Sequence, residues 1–83
     1  MFYMYVIKSK VSKTLYFGYS SDLKKRVKEH NEKKSKYTQT KTPWSLVYYE
    51  AYKSAKDARA RERQLKKYAK SYAMLKRRIK NSM

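Results

Sequence analysis

Tyrosine, arginine, histidine and glutamate are the side chains that could carry out a reaction in this sequence. The chain has no cysteine, one histidine (His30) and one glycine (Gly18), which excludes thiol chemistry, zinc sites of several cysteines or histidines, and glycine loops that cradle phosphate. A carboxylate can bind Mg²⁺ through one oxygen while waters and a substrate phosphate complete the octahedron. An arginine can donate two hydrogen bonds to phosphate oxygens, and a tyrosine or histidine can orient or deprotonate a water molecule. Together these groups suit hydrolysis of a phosphodiester.

Glu62 lies at a position where an acidic residue is unusual. The residues Ser54-Ala55-Lys56-Asp57 have the spacing of a capping box, so a second helix is predicted to begin there. On the wheel of this helix, an arc of about 80° holds one acid among apolar residues. These are Ala55, Ala58, Glu62, Leu65 and Ala69. A buried salt bridge to one of the many basic residues is the alternative explanation for Glu62. The other acids have ordinary explanations at helix starts, on solvated stretches or at a strand end.

Two polar residues share the inward face of an earlier helix, predicted from about Asp22 to Glu32. An arc of roughly 100° on this helix contains Leu23, Arg26, Val27 and His30. Arg26 could instead border the core, and His30 could be a core histidine with its hydrogen bonds satisfied. Gly18 is predicted as the structural turn between a strand and this helix, with Ser20 or Ser21 as the N-cap and Asp22 in the first turn.

The remaining apolar patterns predict the elements that position these residues. Residues 3–8 alternate with apolar groups on both sides, and residues 14–19 are again rich in aromatic and branched residues, so the two predict an antiparallel hairpin that brings Tyr5 near Tyr16. Residues 44–52 predict a third strand, and residues 71–80 a third helix after a break. We therefore expect one domain over residues 1–83 of class α+β, with a three-stranded antiparallel sheet flanked by three helices in the order β-β-α-β-α-α.

The charge of the chain indicates its partner. Twenty-three Lys and Arg against six Asp and Glu give a net charge of +17, which self-repulsion disfavours unless a polyanion is bound. Nucleic acid is the leading candidate, ahead of a membrane surface, because the basic residues are spread over every segment. A mobile basic loop, residues 31–43, is suited to contacting phosphates or is a plain solvated connection. The lysines expected to contact DNA there are Lys33, Lys34, Lys36 and Lys41.

The same composition gives an expectation about location. No apolar run approaches the ~20 residues that span a bilayer, and the first seven residues have neither a basic leader nor a cleavage site. The absence of cysteine fits a reducing setting. We therefore expect a soluble, unprocessed, cytoplasmic protein.

An ordered set of short motifs resembles the GIY-YIG nuclease superfamily, and within it the small standalone bacterial proteins predicted to be endonucleases of the excision-repair-nuclease-domain type. Tyr3-Met4-Tyr5 stands where GIY would be and Tyr16-Phe17-Gly18 where YIG would be, although the first motif lacks its glycine and isoleucine. The other matching positions are Arg26, His30, Lys36-Tyr37-Thr38, the segment 43–50, and Glu62 within the segment 61–67. The resemblance covers nearly the whole chain.

This resemblance implies the GIY-YIG endonuclease fold and hydrolysis of DNA with one divalent ion, Mg²⁺ or alternatively Mn²⁺. By the same likeness Tyr16 would activate the water and Tyr5 would help position it. Arg26 would bind the scissile phosphate, His30 would assist proton transfer, and Glu62 would hold the metal. A protein partner or the structure of the DNA itself would supply specificity.

Three functions are compatible with these observations. The first is a divalent-metal-dependent DNA endonuclease acting in repair or recombination. The sequence departs from the family pattern near the C-terminus, where the usual polar residue has no clear counterpart and Asn81 is the candidate. The second is a non-catalytic nucleic-acid-binding module with the same scaffold. The third is a basic structural or ribosome-associated protein. The second predicts a steep loss of binding with salt, because phosphate neutralisation would supply its affinity, and the third predicts much tighter binding of RNA than of DNA.

Overall fold

The chain forms three strands and three helices, in the predicted order β-β-α-β-α-α. A computed structural model describes residues 1–83, and its elements are β1 (Phe2–Ser9), β2 (Leu15–Ser20), α1 (Leu23–Asn31), β3 (Trp44–Tyr52), α2 (Ala55–Lys67) and α3 (Ala69–Arg78). Two short 3-10 helices cover Gln39–Lys41 and Lys80–Ser82. The α+β class with a three-stranded antiparallel sheet and three helices is confirmed.

The first strand is the centre of the sheet. The strand order is β2-β1-β3 and both pairings are antiparallel, so β2 and β3 are edge strands. In this register Tyr5 lies opposite Gly18 on one side and Tyr49 on the other. The four residues from Met4 to Ile7 are at most 1% exposed, because helices cover both faces of β1. The apolar pattern on both sides of this strand therefore predicted its burial correctly.

Two small hydrophobic clusters lie on opposite faces of the sheet. The cluster against α2 and α3 consists of Met4, Val6, Phe17, Leu65, Leu75 and Ile79. The cluster on the α1 side consists of Tyr5, Ile7 and Trp44, with Tyr16, Leu23 and Val27 packed against it. Each fully buried side chain of this size stabilises the fold by about 1.5–3 kcal/mol. The α1 cluster is aromatic, and the candidate catalytic tyrosines belong to it.

Gly18 lies inside β2, so its predicted role as a strand-to-helix turn is wrong. No glycine in the chain has a positive φ, and the backbone here is ordinary strand. What requires glycine is space. A Cβ at this position would overlap the Cζ and Oη atoms of Tyr5, whose ring lies across the glycine from the neighbouring strand. Gly18 thus makes room for the buried tyrosine.

The helix starts differ from prediction in their details. Asp22 is the N-cap of α1, since its Oδ1 accepts from the backbone N–H of Lys25 at 3.1 Å. Ser20, predicted as a cap, instead accepts from the N–H of Asp22 and shapes the turn before the helix. Ser54 caps α2 as predicted, accepting from the N–H of Lys56 at 3.2 Å.

The predicted break between the last two helices is confirmed. Tyr68 has extended backbone angles (φ −111°, ψ 113°) and separates α2 from α3, which begins two residues earlier than predicted. The break lets Leu65 and Leu75 both reach the same hydrophobic cluster. None of the three helices combines the length and the apolar character needed to cross a membrane.

The basic loop before β3 is anchored more firmly than its composition suggests. The Asn31 side chain accepts from the N–H of Trp44 at 2.6 Å and donates to its carbonyl at 3.0 Å. The Trp44 indole donates to the carbonyl of Thr38 at 2.9 Å, and Ser9 donates to the carbonyl of Lys41 at 2.6 Å. Thr38 is fully buried as a result. Thr38 is therefore a buried, hydrogen-bonded residue within a loop of polar sequence.

Candidate active site at the edge of the sheet

A buried chain of hydrogen bonds connects β1, α1 and the loop before β3. The Tyr5 hydroxyl lies 2.8 Å from Nε2 of His30, and Nδ1 of His30 lies 2.7 Å from the Thr38 hydroxyl. Tyr5 is 1% exposed, while His30 and Thr38 are not exposed at all. Both ring nitrogens of the histidine are therefore used within the protein.

The neutral charge of His30 determines which group donates each hydrogen bond between Tyr5, His30 and Thr38. Burial, assisted by the positive charge of Arg26 and opposed by Glu29, lowers the pKa of His30 to about 4. The ring is thus neutral at pH 7, with one nitrogen donating and the other accepting. The Thr38 hydroxyl donates to the carbonyl of Ser35 at 3.5 Å, so its oxygen accepts from the Nδ1–H of His30. Nε2 is then the accepting nitrogen of the neutral ring, and the Tyr5 hydroxyl donates to it.

Tyr5 is held in its protonated form. Burial raises the pKa of this tyrosine to about 12, against the lowering effect of Arg26 and with further raising contributions from Tyr16 and Glu62. At neutral pH the hydroxyl keeps its proton, so Tyr5 can orient a neighbouring group but cannot remove a proton from it.

Tyr16 lies at the edge of the sheet, surrounded by other rings. Its centroid is 5.3 Å from those of His30 and Tyr37 and 6.3 Å from that of Trp44. The Lys66 ammonium lies over its face, 5.1 Å from the centroid, and joins α2 to the site. Unlike Tyr5, Tyr16 is partly exposed. Of the two motif tyrosines, it is the one that solvent can reach.

Arg26 borders the site from α1. Its Nη1 lies 3.4 Å from Oε1 of Glu29, one helical turn away, and its side chain is 33% exposed. A guanidinium has five N–H donors, so the contacts with Glu29 and Tyr5 leave donors for a further partner. The predicted inward face of α1 is confirmed, since both Arg26 and His30 meet Tyr5.

Glu62 forms a salt bridge, the alternative explanation that the sequence offered for it. It lies on the inner stripe of α2 between Ala58, fully buried, and Leu65, 2% exposed, and its own side chain is 20% exposed. Its Oε2 also accepts from Nζ of Lys66 at 2.8 Å. Lys66 is half-exposed and at the end of a flexible stem, so this ion pair can open without disturbing the core.

Of the candidate DNA-binding lysines, Lys41 lies beside an aromatic ring that packs against Tyr16. Lys33, Lys34 and Lys36 are exposed, and Lys34 pairs with Glu32 at 3.4 Å. Lys41 approaches more closely, because its Nζ lies 5.7 Å from the ring centroid of Tyr37. Asn81 lies in the last 3-10 helix, is exposed, and forms no side-chain hydrogen bond with the residues described above.

Comparison with known protein families gives a match that covers almost the full length of the chain. A sequence profile of the GIY-YIG catalytic domain matches residues 1–80. The chain belongs to the GIY-YIG family. Two UPF0213 proteins of Streptococcus pyogenes, from serotype M3 (strain ATCC BAA-595 / MGAS315) and serotype M5 (strain Manfredo), are 50% and 48% identical over 66 residues, 78% of this chain and 71% of each relative.

A solved structure supports the same assignment. The solution NMR structure of a UPF0213 protein from Bacillus halodurans matches with a TM-score of 0.55 and 30% identity, covering 90% of this chain and 81% of that one. The GIY-YIG domain is a nuclease domain. The names of the relatives state no substrate.

The donor set of this GIY-YIG domain fits a divalent ion held by a single protein carboxylate. No group of three or more histidine, cysteine, aspartate or glutamate side chains that could together hold a metal ion is present. Glu62 adjoins the site through Lys66, which pairs with it at 2.8 Å and lies over the ring of Tyr16. Mg²⁺ often binds through one carboxylate, with waters and substrate phosphate as its other ligands. Affinity for the ion alone should therefore be low and should rise when phosphate is present.

Two features of this GIY-YIG domain were not found from the sequence. Thr38, the partner of His30, has no periodic signal in a polar loop and matched only a short motif. Glu50, read as the end of a strand, accepts from the hydroxyls of Tyr48 (2.7 Å) and Tyr52 (2.5 Å) and from Nε of Arg61 (2.9 Å).

The cluster around Glu50 is structural. Burial opposes ionisation, but the hydrogen bonds from Arg61 and the two tyrosines bring the pKa of Glu50 below its usual range. Glu50 lies opposite Met4 in the register, on the face that packs α2 and α3. Its signal was available, because Tyr48, Glu50 and Tyr52 alternate onto one face of β3.

Proposed function

We propose that this GIY-YIG domain is a divalent-metal-dependent endonuclease that hydrolyses phosphodiester bonds in DNA. The observation that carries the proposal is the convergence of five side chains from four elements on one edge of the sheet. These are Tyr5, Tyr16, Arg26, His30 and Glu62. Four have side chains able to bind phosphate or move protons, and the fifth is the carboxylate of Glu62, whose partner Lys66 lies over the Tyr16 ring.

The two tyrosines take different parts in this mechanism. Tyr16 is partly exposed and can meet the attacking water, so we assign it the role of general base, which it performs as the phenolate, with the proton of the water going to the phenolate oxygen. Tyr5 keeps its own proton and donates it in a hydrogen bond to Nε2 of His30. Because Tyr5 is buried, it helps position the water indirectly, by fixing the ring of His30, which packs against Tyr16 with centroids 5.3 Å apart.

The charged groups act on the phosphate. Arg26 donates two parallel hydrogen bonds to nonbridging oxygens of the scissile phosphate, which fixes the reacting atom beside the tyrosines. Glu62 would hold the divalent ion once Lys66 has moved from its carboxylate. Such an ion supplies Lewis-acid stabilisation of the charge that develops on the phosphate oxygens.

The experiment that tests this function is nicking of supercoiled plasmid with Mg²⁺ or Mn²⁺. Glu62→Gln removes the carboxylate charge while keeping the shape, and Tyr16→Phe removes only the hydroxyl. The matched control is Glu32→Gln, because Glu32 also pairs with a single lysine, at 3.4 Å, but lies on the surface. Nicking by the wild type and the control, lost in the two site variants with DNA binding in EDTA unchanged, is the expected result. Equal nicking by all four proteins would contradict the proposal.

The second candidate function is a nucleic-acid-binding module without turnover. It is favoured by one observation, the ion pair between Glu62 and Lys66, which occupies the carboxylate that the nuclease mechanism assigns to the metal. Absence of nicking by the wild type with either metal, together with strong salt-dependent DNA binding, would establish it. Only four of the chain's six acids pair with basic side chains, which leaves most of its 23 Lys and Arg for phosphates in either case.

We further propose that the cleavage serves DNA repair or recombination. The cations of this domain contact phosphates, which carry no sequence information, so specificity must come from the structure of the DNA or from a protein partner. Comparison of nicked, branched and intact duplex substrates of the same sequence tests this directly. Equal cleavage rates on all three would assign the specificity to a partner.

A further inference from the structure

A cleft lined by four lysines opens beside the candidate active site. It has a volume of about 510 Å³, and its lysines come from four separate parts of the chain. They are Lys8 in β1, Lys13 in the β1–β2 turn, Lys41 in the 3-10 helix before β3, and Lys76 in α3. No acidic residue lines this space, which we term the lysine cleft.

No Asp or Glu side chain pairs with the four lysines of the cleft. The Nζ of Lys8 donates to a main-chain oxygen of Met83, the last residue, at 3.3 Å. Four ammonium groups around one cavity repel one another, and a bound anion relieves that repulsion. The chemistry of the cleft is therefore that of a phosphate site.

The cleft also offers an aromatic surface at its mouth. Tyr37 lines it and is 67% exposed. The ring of Tyr37 is tilted by 35° against that of Tyr16, with centroids 5.3 Å apart, and Lys41 lies beside it. An exposed ring flanked by cations is the arrangement on which bases of single-stranded nucleic acid stack. Because Tyr37 contacts Tyr16, a base stacked there lies next to the candidate catalytic tyrosine.

The size of the cleft selects the form of the ligand. Its volume falls within the range of about 300–1,000 Å³ that is usual for small-ligand sites. A base inside a duplex cannot enter such a space unless it first leaves the stack. We propose, on the basis of the nuclease function proposed above, that the lysine cleft binds an unpaired nucleotide of the DNA strand that flanks the scissile bond.

Binding in EDTA tests this without depending on cleavage. Fluorescence anisotropy compares a labelled single-stranded oligonucleotide with the duplex of the same sequence. The double variant Lys13→Gln/Lys76→Gln removes two cleft charges. The matched control Lys10→Gln/Lys70→Gln removes two exposed charges from the same turn region and the same helix, outside the cleft. Tyr37→Leu removes the stacking ring at an exposed position that the fold does not need.

The expected results differ between the two DNA forms. Tyr37→Leu should lower affinity for the single strand about 5-fold or more and leave the duplex within about 2-fold. The cleft double variant should reduce the salt slope of single-strand binding by about 1.4, the value for two lost phosphate contacts, and the control by much less.

Two outcomes would overturn the assignment of the cleft. One is equal loss from the cleft variant and the control, and the other is equal loss for single strand and duplex with Tyr37→Leu. Failure of the nuclease function gives a different pattern, in which wild-type protein binds single strands through the cleft but nicks no plasmid. The lysine cleft is retained in that case, as a binding site without turnover.

Discussion

Acid should destabilise this protein through His30. An exposed histidine has a pKa of 6.5, whereas burial brings that of His30 to about 4 in the folded protein. Below pH 6.5 the unfolded chain binds a proton that the folded protein does not bind, so the free energy of unfolding falls as the pH falls. The loss is complete near pH 4, and stability from this group is fully present above pH 6.5. The difference between the two pKa values corresponds to about 3 kcal/mol.

This loss is large for a chain of 83 residues, since small domains are stable by only about 5–15 kcal/mol. Three groups surround the imidazole and set its charge. Arg26 disfavours the protonated ring, Glu29 favours it, and the Tyr5 hydroxyl already donates to Nε2 and would face a second donor if that nitrogen were protonated. Protonation therefore breaks a hydrogen bond as well as burying a charge.

Urea denaturation between pH 7.5 and pH 4 measures the effect. The single tryptophan, Trp44, is 3% exposed and bonded to Thr38, so its fluorescence reports on this part of the core. His30→Gln supplies a donor and an acceptor but does not titrate, and the acids that titrate near pH 4 are common to both proteins. The wild type should lose about 3 kcal/mol more than the variant over this range. Parallel curves for the two proteins would refute the reasoning.

Three further changes should alter the urea midpoint at pH 7. Gly18→Ala forces a methyl group into the ring of Tyr5 and should cost about 1–3 kcal/mol, and an unchanged midpoint would mean that the ring moves freely. Thr38→Val leaves a buried imidazole N–H without an acceptor and should cost about 1–3 kcal/mol, whereas Thr38→Ser should be nearly neutral; equal effects would exclude the hydrogen bond as the cause. Glu50→Gln should cost about 2 kcal/mol by leaving a half-buried arginine unpaired, against about 0.5 kcal/mol or less for the exposed Glu32→Gln, and similar values would contradict a structural role for the cluster.

The fold was predictable because buried apolar residues recur in the sequence with the spacing of a strand or a helix. The apolar residues on both sides of β1 predicted a covered central strand, and the displaced apolar arc after Ala69 predicted the break at Tyr68. The same reasoning found Arg26, His30 and Glu62, since a polar residue on an apolar face is visible on a helical wheel.

Contacts between segments were not predictable in this way. A period reports which side of an element is covered, but it does not report which atom lies across from it. Thr38 has no apolar neighbours in sequence, and its burial depends on Trp44 and His30, which reach it from β3 and α1. Similarly, Asp22 and the serines before it are all suitable caps, and the turn geometry alone decided between them.

The pairing of Tyr5 with Gly18 has a consequence for how this sequence can change. The glycine is needed for the volume of a ring that belongs to another strand, because its own backbone is ordinary strand. A larger residue at position 18 is therefore acceptable only after position 5 has become smaller, and the order of those two steps matters. Substitutions in two motifs that are separate along the chain therefore depend on each other, through the contact of Tyr5 with Gly18.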